Sequence, residues 1–292
     1  MPRSNTPPRN LAPKVSVVLP TYNRAEQLPA SMASVLAQTY TDLELLVVDD
    51  GSTDDTRAVI SSIADPRIRY IQSNHQGAAA ARNLGITAAR GHFVAFQDSD
   101  DHWTCDKLAL QVAAMNDAEE DTVGVFCRFI RYLDGRAEAI PATGFTAGPA
   151  LFEQLLSFNV VNTPCLLATR AALMQIRGFD EALPRYQDWD LAIRLTLCGK
   201  LAFLPMPLLL ASQTPGSITA SHKAGEEALT RFITKYRSHY DTHQTALADI
   251  FLSLARHLYR QGRATDARRY VLRAMHHNGP RLRYLRTFLL GR

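Results

Sequence analysis

Residues 43–50, "LELLVVDD", constrain the fold of this chain more than any other stretch. Leu45, Leu46, Val47 and Val48 are consecutive and apolar, which suits a strand covered on both faces, as in a parallel sheet packed between helices. A strand with one wet face would alternate instead. The run stops at Asp49 and Asp50, and "GSTDDT" follows. Two readings fit that ending. It is a turn leading into a helix N-cap, or it sets carboxylates at the end of a strand, where open α/β sheets bind ligands.

The same pattern recurs along the first hundred residues. "KVSVVLP" reads as a strand ending at Pro20, and "AEQLPASMASVLAQ" has helical spacing, with Leu28, Met32, Val35 and Leu36 on one side. "DDTRAVISSIA" is a second helix with Val59, Ile60 and Ile63 inward, and "IRYIQ" a short third strand. "GAAAARNLGITAARG" is a helix of small residues able to lie close to a sheet, with Gly91 as its C-terminal stop. "HFVAFQDSDD" is a fourth strand that again runs into carboxylates. Such alternation predicts a mostly parallel, helix-covered sheet.

The middle of the chain is less regular. "VGVFCRFIRYL" and "PCLLAT" read as strands, and "ALFEQLLSF" as a short helix. "YQDWDLAIRLTLCG" is a helix with Asp188 and Asp190 at its start, where the helix dipole favours negative charge. Beyond about Gly225 the pattern is helical, and residues 248–279 form a hairpin around Gln261, Gly262 and Arg263 that resembles one tetratricopeptide unit, without a repeated period. The expected division is a disordered segment at 1–13, an α/β domain at 14–221 and a basic α-helical region at 222–292.

Charge and cysteine content narrow the class. Residues 221–292 hold fourteen Lys and Arg against five Asp and Glu, so the tail is basic and the remainder mildly acidic. The four cysteines are widely spaced and form no Cys-x-x-Cys pair, which argues against a zinc ribbon or disulfide framework and fits a reducing compartment. Met1 to Pro13 lacks the basic-then-apolar order of a secretory signal, and the longest apolar stretch, 201–211, is short and broken by Pro205 and Pro207. The expectation is a cytoplasmic protein, with peripheral contact to the inner membrane face open. Leu282, Leu285, Phe288 and Leu289 alternate with Arg281, Arg283 and Arg286, which fits a helix lying on an anionic membrane or one packed on the preceding hairpin. No nucleic-acid motif accompanies the basic tail, so no nucleic acid is expected.

The carboxylates carry the chemistry. In Asp98-Ser99-Asp100 the acids are two positions apart and share a side if the segment is extended. Like charges so close repel unless a cation joins them, and a hard divalent cation held by one or two carboxylates and substrate phosphates meets that need. A solvated Asp-rich turn is the alternative. The segments "VSVVLPTYNR" (15–24), "VVDDGSTD" (47–54), "NHQGAAAARNLG" (74–85), "FQDSDDHW" (96–103) and "QDWDL" (187–191) occur in that order. Together they resemble the family 2 glycosyltransferases over roughly residues 15–217.

That resemblance implies a GT-A fold, a nucleotide-binding α/β sandwich, and an inverting, metal-dependent transfer from a nucleotide diphosphate sugar, UDP-linked for preference. It implies that Pro20 and Thr21 lie beside the base, that Tyr22 packs on it and that Asp50 accepts from its N–H, with Asp49 ordering the loop. Arg82 and Asn83 would line the nucleotide-sugar side, Asp98 would lie near the ribose or sugar, and Asp100 would bind Mn2+ or Mg2+. Asp101 and Trp103 would shape the turn. Asp188 is the candidate base, with Asp190 structural. Gln187 stands where the family has Glu, and Ser212 and Thr214 where many relatives have Arg and His, leaving His222 as a candidate substitute near the diphosphate. The acceptor, whether glycan, lipid-linked or protein, is not readable.

Two other readings compete with this one. A sugar-phosphate nucleotidyltransferase opens with a glycine-rich phosphate loop, whereas "LPTYNRAEQLP" has no glycine. A catalytically weak nucleotide-sugar-binding adaptor working through its helical tail is the non-enzymatic alternative.

Overall fold

The computed structural model describes residues 13–133, 136–148, 150–212 and 221–290. Of the segment 1–13 expected to be disordered, all but Pro13 lies outside the described residues, as does Thr214 with the rest of 213–220. The first half alternates β1 (Val15–Thr21), α1 (Leu28–Leu36), β2 (Leu43–Asp49), α2 (Thr56–Ser62), β3 (Ile68–Gln72), α3 (Ala78–Ala88) and β4 (Phe93–Phe96). Next come β5 (His102–Trp103), α4 (Lys107–Asn116), β6 (Thr122–Leu133), β7 (Arg136–Ile140), α5 (Leu151–Ser157), β8 (Leu166–Thr169), α6 (Arg170–Gln175), α7 (Gln187–Thr196) and β9 (Lys200–Ala211). Five helices follow: α8 (His222–Lys235), α9 (Arg237–Thr242), α10 (Gln244–Arg260), α11 (Ala264–Asn278) and α12 (Leu282–Leu290).

One sheet runs in the order β3-β2-β1-β4-β8-β6-β9-β5, with β7 paired to β6. Strands β3, β2, β1 and β4 are mutually parallel, and every residue of β1 and β2 is buried, as continuous apolar runs require. Beyond β4 the sheet is mixed: β8 is antiparallel to β4 and β6, β9 is parallel to β6, and β5 is antiparallel to β9. From β1 the chain steps outward to β2 and β3, then returns to the other side of β1 as β4. That reversal opens a crevice at the carboxyl ends of β1 and β4. Asp49 and Asp50 flank it on one side and Asp98, Asp100 and Asp101 on the other.

Helix α3 lies close over this crevice because its sheet-facing side is nearly bare. A Cβ at Gly85 would stand 2.3 Å from Val18 Cγ1, and Ala79, Ala80 and Ala81 are buried beside it. Gly91 does not end α3 as expected. The helix gives way at Ala89, whose backbone is extended (φ −61°, ψ 139°). Gly91 instead lets the chain pass against β1, where a Cβ would meet Ser16 N at 2.6 Å.

The apolar core is continuous from the sheet into the C-terminal helices, where Leu229, Phe232, Ile250, Leu254, Leu258 and Val271 are buried. Tyr240 OH donates to Leu156 O (3.2 Å) and joins the helices to α5. No helix among the described residues is long and apolar enough to cross a membrane. The four cysteines are free.

Candidate active site

The loops after β1 and β2 hold each other. Thr53 N donates to Asn23 Oδ1 (2.7 Å) and Asn23 N to Ser52 Oγ (2.9 Å). Thr21, at the end of β1, is buried, and its Oγ1 has no hydrogen-bond partner among the described residues. Tyr22 is 41% exposed rather than a core tyrosine, and its ring lies 4.1 Å from that of His75, which the sequence did not single out. An exposed aromatic pair beside a strand end offers a face on which a base can stack.

Asp49 orders the loop, as the resemblance implies, accepting from Ser52 N (2.9 Å) and Tyr70 OH (2.8 Å). Asp50 is more heavily engaged than expected. Its Oδ1 accepts from Ser73 Oγ (2.5 Å) and Gln76 N (2.9 Å), and its Oδ2 from Gly77 N (2.7 Å). The carboxylate thus fixes the turn into α3, where Gly77 holds a φ of 95°. A carboxylate offers about four lone-pair sites, so one remains for a ligand.

Arg82, on α3, reaches Asp98 with Nη2 2.5 Å from Oδ1 and lies over the Phe179 ring. Its neighbour Asn83 turns elsewhere, donating to Phe179 O and Glu181 Oε1 and accepting from Phe179 N (2.9, 2.7 and 2.7 Å), so it staples α3 to the loop before α7. Asp98 O accepts from Ser31 Oγ (2.7 Å), and Asp101 Oδ1 accepts from Ser212 N (2.9 Å), which pins the end of β9. Burial pushes the Asp101 carboxyl well above the usual carboxylate range; the Asp98 and Asp100 carboxylates add to this, and Ser212 N–H and Arg82 oppose it. Below this turn lies Lys107, fully buried, its Nζ 3.8 Å from the centre of the Trp103 ring and donating to Gln111 Oε1 (2.8 Å). Burial lowers its pKa to about 8. The only sequence signal for this internal lysine was its spacing of four from Gln111 on an otherwise apolar helix.

Asp188 opens α7. Its Oδ1 accepts from Trp189 N (2.8 Å) and its Oδ2 from Asn159 Nδ2 (3.0 Å). Burial pushes its pKa up to about 6; the Trp189 N–H, Arg82 and Asn159 hold it down, and Asp98 adds to the rise. The fold therefore brings Asp188 into the field of the Arg82–Asp98 pair, although the two aspartates are ninety residues apart. Asp190 is structural: it is fully buried, paired with Arg194 (2.6 Å) and Lys235 (2.7 Å), and accepts from Tyr236 OH (2.7 Å). Gln187 donates to Leu183 O (2.7 Å). His222 packs against His257, with Nδ1 atoms 3.3 Å apart.

The donor set suits a hard cation. Asp98, Asp100 and Asp101 crowd so closely that two of them raise the proton affinity of the third. Among the described residues no group of three or more His, Cys, Asp or Glu side chains is placed to hold a metal ion. A Mg2+ or Mn2+ here would therefore rest on one or two of these carboxylates, with substrate oxygens completing its shell.

Residues 16–174 match the family model for "Glycosyl transferase family 2". The chain belongs to that family. An Escherichia coli protein, "UDP-Glc:alpha-D-GlcNAc-diphosphoundecaprenol beta-1,3-glucosyltransferase WfaP", is 40% identical over 188 residues, covering 64% of this chain and 70% of that protein. An "Uncharacterized glycosyltransferase" of Rickettsia felis is 47% identical over 185 residues, 62% of this chain but only 30% of its own length. A second Escherichia coli glucosyltransferase, WfgD, is matched over 40% of its length, so this chain spans less than half of some relatives. Among solved structures, S. aureus TarS in complex with UDP-GlcNAc has a TM-score of 0.64 at 19% identity, covering 92% of this chain and 93% of that one. The mannosyltransferase PcManGT of Pyrobaculum calidifontis, in complex with GDP-Man and Mn2+, has a TM-score of 0.63 at 19% identity, covering 100% and 83%. These likenesses establish the GT-A fold.

Arg82 lowers the Asp188 pKa, so Arg82→Gln is expected to move the Asp188 titration upward from about 6, read by carboxyl-carbon NMR. An unmoved titration would separate the two groups.

Proposed function

We propose that this enzyme transfers a sugar from a nucleotide diphosphate sugar, with uridine as the base, to an acceptor hydroxyl with inversion, in polysaccharide or lipid-linked glycan synthesis. Residues 14–221 are the transferase domain and 222–292 a helical region packed on it. The observation that carries this reading is the meeting of carboxylates at the ends of parallel strands β2 and β4, with Arg82 paired to Asp98 and Asp188 within the field of that pair, its pKa raised by burial to about 6. A base whose pKa lies near the working pH combines the right protonation state with useful proton affinity.

Pro20 and Thr21 flank the base through their backbone, Tyr22 offers its ring, and Asp50 accepts the base N–H on its remaining lone pair. Arg82 and Asp98 face the ribose and sugar. Asp100 would hold Mn2+ or Mg2+, and a divalent cation bound there would neutralise charge on the departing diphosphate. Asp188 takes the acceptor proton as that oxygen attacks the anomeric carbon opposite the diphosphate, and attack from that face inverts the configuration. The donor in the name of WfaP and the ligand of the TarS complex support UDP, while the Mn2+ of the PcManGT complex supports the metal. The diphosphoundecaprenol acceptor in the name of WfaP supports a lipid-linked acceptor.

UDP release from a panel of UDP-sugars tests the assignment. Asp188→Asn is expected to lower kcat by about 10²–10⁴-fold with donor affinity unchanged. The base works deprotonated, so wild-type turnover is lost as pH falls through about 6. Wild-type turnover in Asp188→Asn would overturn the assignment.

Helix α12 favours peripheral membrane contact. It packs through Tyr284 and Thr287, both fully buried, yet Leu282, Leu285 and Leu289 are 64%, 45% and 73% exposed, with Arg281 and Arg286 also exposed. An apolar stripe edged by arginines complements anionic lipid. The enzyme is expected to co-sediment with phosphatidylglycerol vesicles and not with phosphatidylcholine vesicles. Changing all three leucines to Ser should abolish this, and equal sedimentation of the triple variant would refute it.

A further inference from the structure

The residue before α7, Tyr186, has φ 62° and ψ 29°, a left-handed conformation that a bulky side chain rarely adopts. Its surroundings hold it there. Tyr186 OH lies 2.8 Å from His257 Nε2 on α10, its ring packs edge-on against Trp189 with centroids 5.4 Å apart, and the Arg185 guanidinium lies 4.6 Å from its centre. His257 is 7% exposed, and the space for its imidazole comes from Gly225 on α8, where a Cβ would stand 2.6 Å from His257 Cε1.

The charges around His257 keep it neutral. Burial, then Arg185, His222 and Arg260, push its pKa down to about 4, against Glu226. A neutral imidazole has one donor and one acceptor nitrogen. The arrangement that satisfies both has Tyr186 OH donating to Nε2 and Nδ1–H donating to His222 Nδ1. The next residues of the same turn are also gripped from the C-terminal helices: Trp189 meets the Phe232 ring, and Asp190 holds Lys235 and Tyr236. The family match ends at residue 174, so this support lies wholly beyond it.

We infer that Tyr186 and His257 are positioning residues for Asp188, the hydrogen bond between them holding the left-handed turn that aims the base. The inference rests on Asp188 as the base. Asp188 Oδ1 is bonded to the N–H of its own helix turn, so its direction follows the backbone that Tyr186 sets. Released from His257, Tyr186 relaxes toward negative φ, the turn rotates, and Asp188 loses both its aim and its burial. A misplacement of about 1 Å is enough to cost ~10²-fold in rate.

The test compares Tyr186→Phe, His257→Leu, His257→Gln and Asp188→Asn in the full chain, using UDP release, donor affinity and thermal unfolding. Tyr186→Phe, which removes one oxygen, is expected to lower kcat about 10–100-fold with donor affinity within about twofold. Its acid limb should move below pH 6, toward the ordinary carboxylate range, as water reaches Asp188. His257→Leu should do the same, while His257→Gln, whose amide oxygen can accept from Tyr186, should restore most of kcat. If His257→Leu fails to fold, Tyr186→Phe decides. Unchanged kcat and pH profile in Tyr186→Phe, with Asp188→Asn inactive, would overturn the inference and leave the base intact. An active Asp188→Asn would overturn the base and the inference with it.

Discussion

The Arg82 guanidinium is the charge around which the site is arranged. It is paired with Asp98 and acts on both Asp188 and the buried Asp101. Without a cation here, carboxylates converging at the ends of two strands would repel one another in a partly dry crevice. Arg82 is where it must be because α3 lies close to the sheet, and α3 lies close because alanines and Gly85 face β1. A run of small residues, unremarkable as composition, thereby sets the electrostatics of the crevice.

The molecule divides its labour along the chain. Strands β1 to β4 and their loops form the proposed nucleotide side, and the family match runs from β1 through β8 into α6. Asp188 belongs to the later half, and its helix is braced by residues from α8 and α10. The C-terminal helices are therefore part of how the proposed base is held, in addition to offering the leucine face of α12. Asn83 links the two halves by binding the loop at 179–181.

Much of this was legible in the sequence because periodicity and strand-end composition are local. The strands at 15–21 and 43–49 and the helical hairpin near residue 262 all followed from such signals. What escaped depends on contacts between distant segments. Asp50 reads as a free acceptor until the turn at 73–77 folds onto it. Gly91 reads as a helix stop, but close passage over β1 requires it. Asn83 reads as a donor-site residue, yet its side chain is taken by the loop before α7. Lys107 and His257 were not singled out in the sequence, and only the fold reveals that each is enclosed beside an aromatic ring. A left-handed tyrosine has no sequence signature at all.

The most direct test of the account is calorimetric titration of UDP into the wild-type protein and Asp100→Ala, with and without Mn2+. The account predicts UDP binding that Mn2+ strengthens in the wild type and leaves unchanged in Asp100→Ala. Mn2+ dependence equal in both proteins, or no UDP binding in either condition, would contradict it.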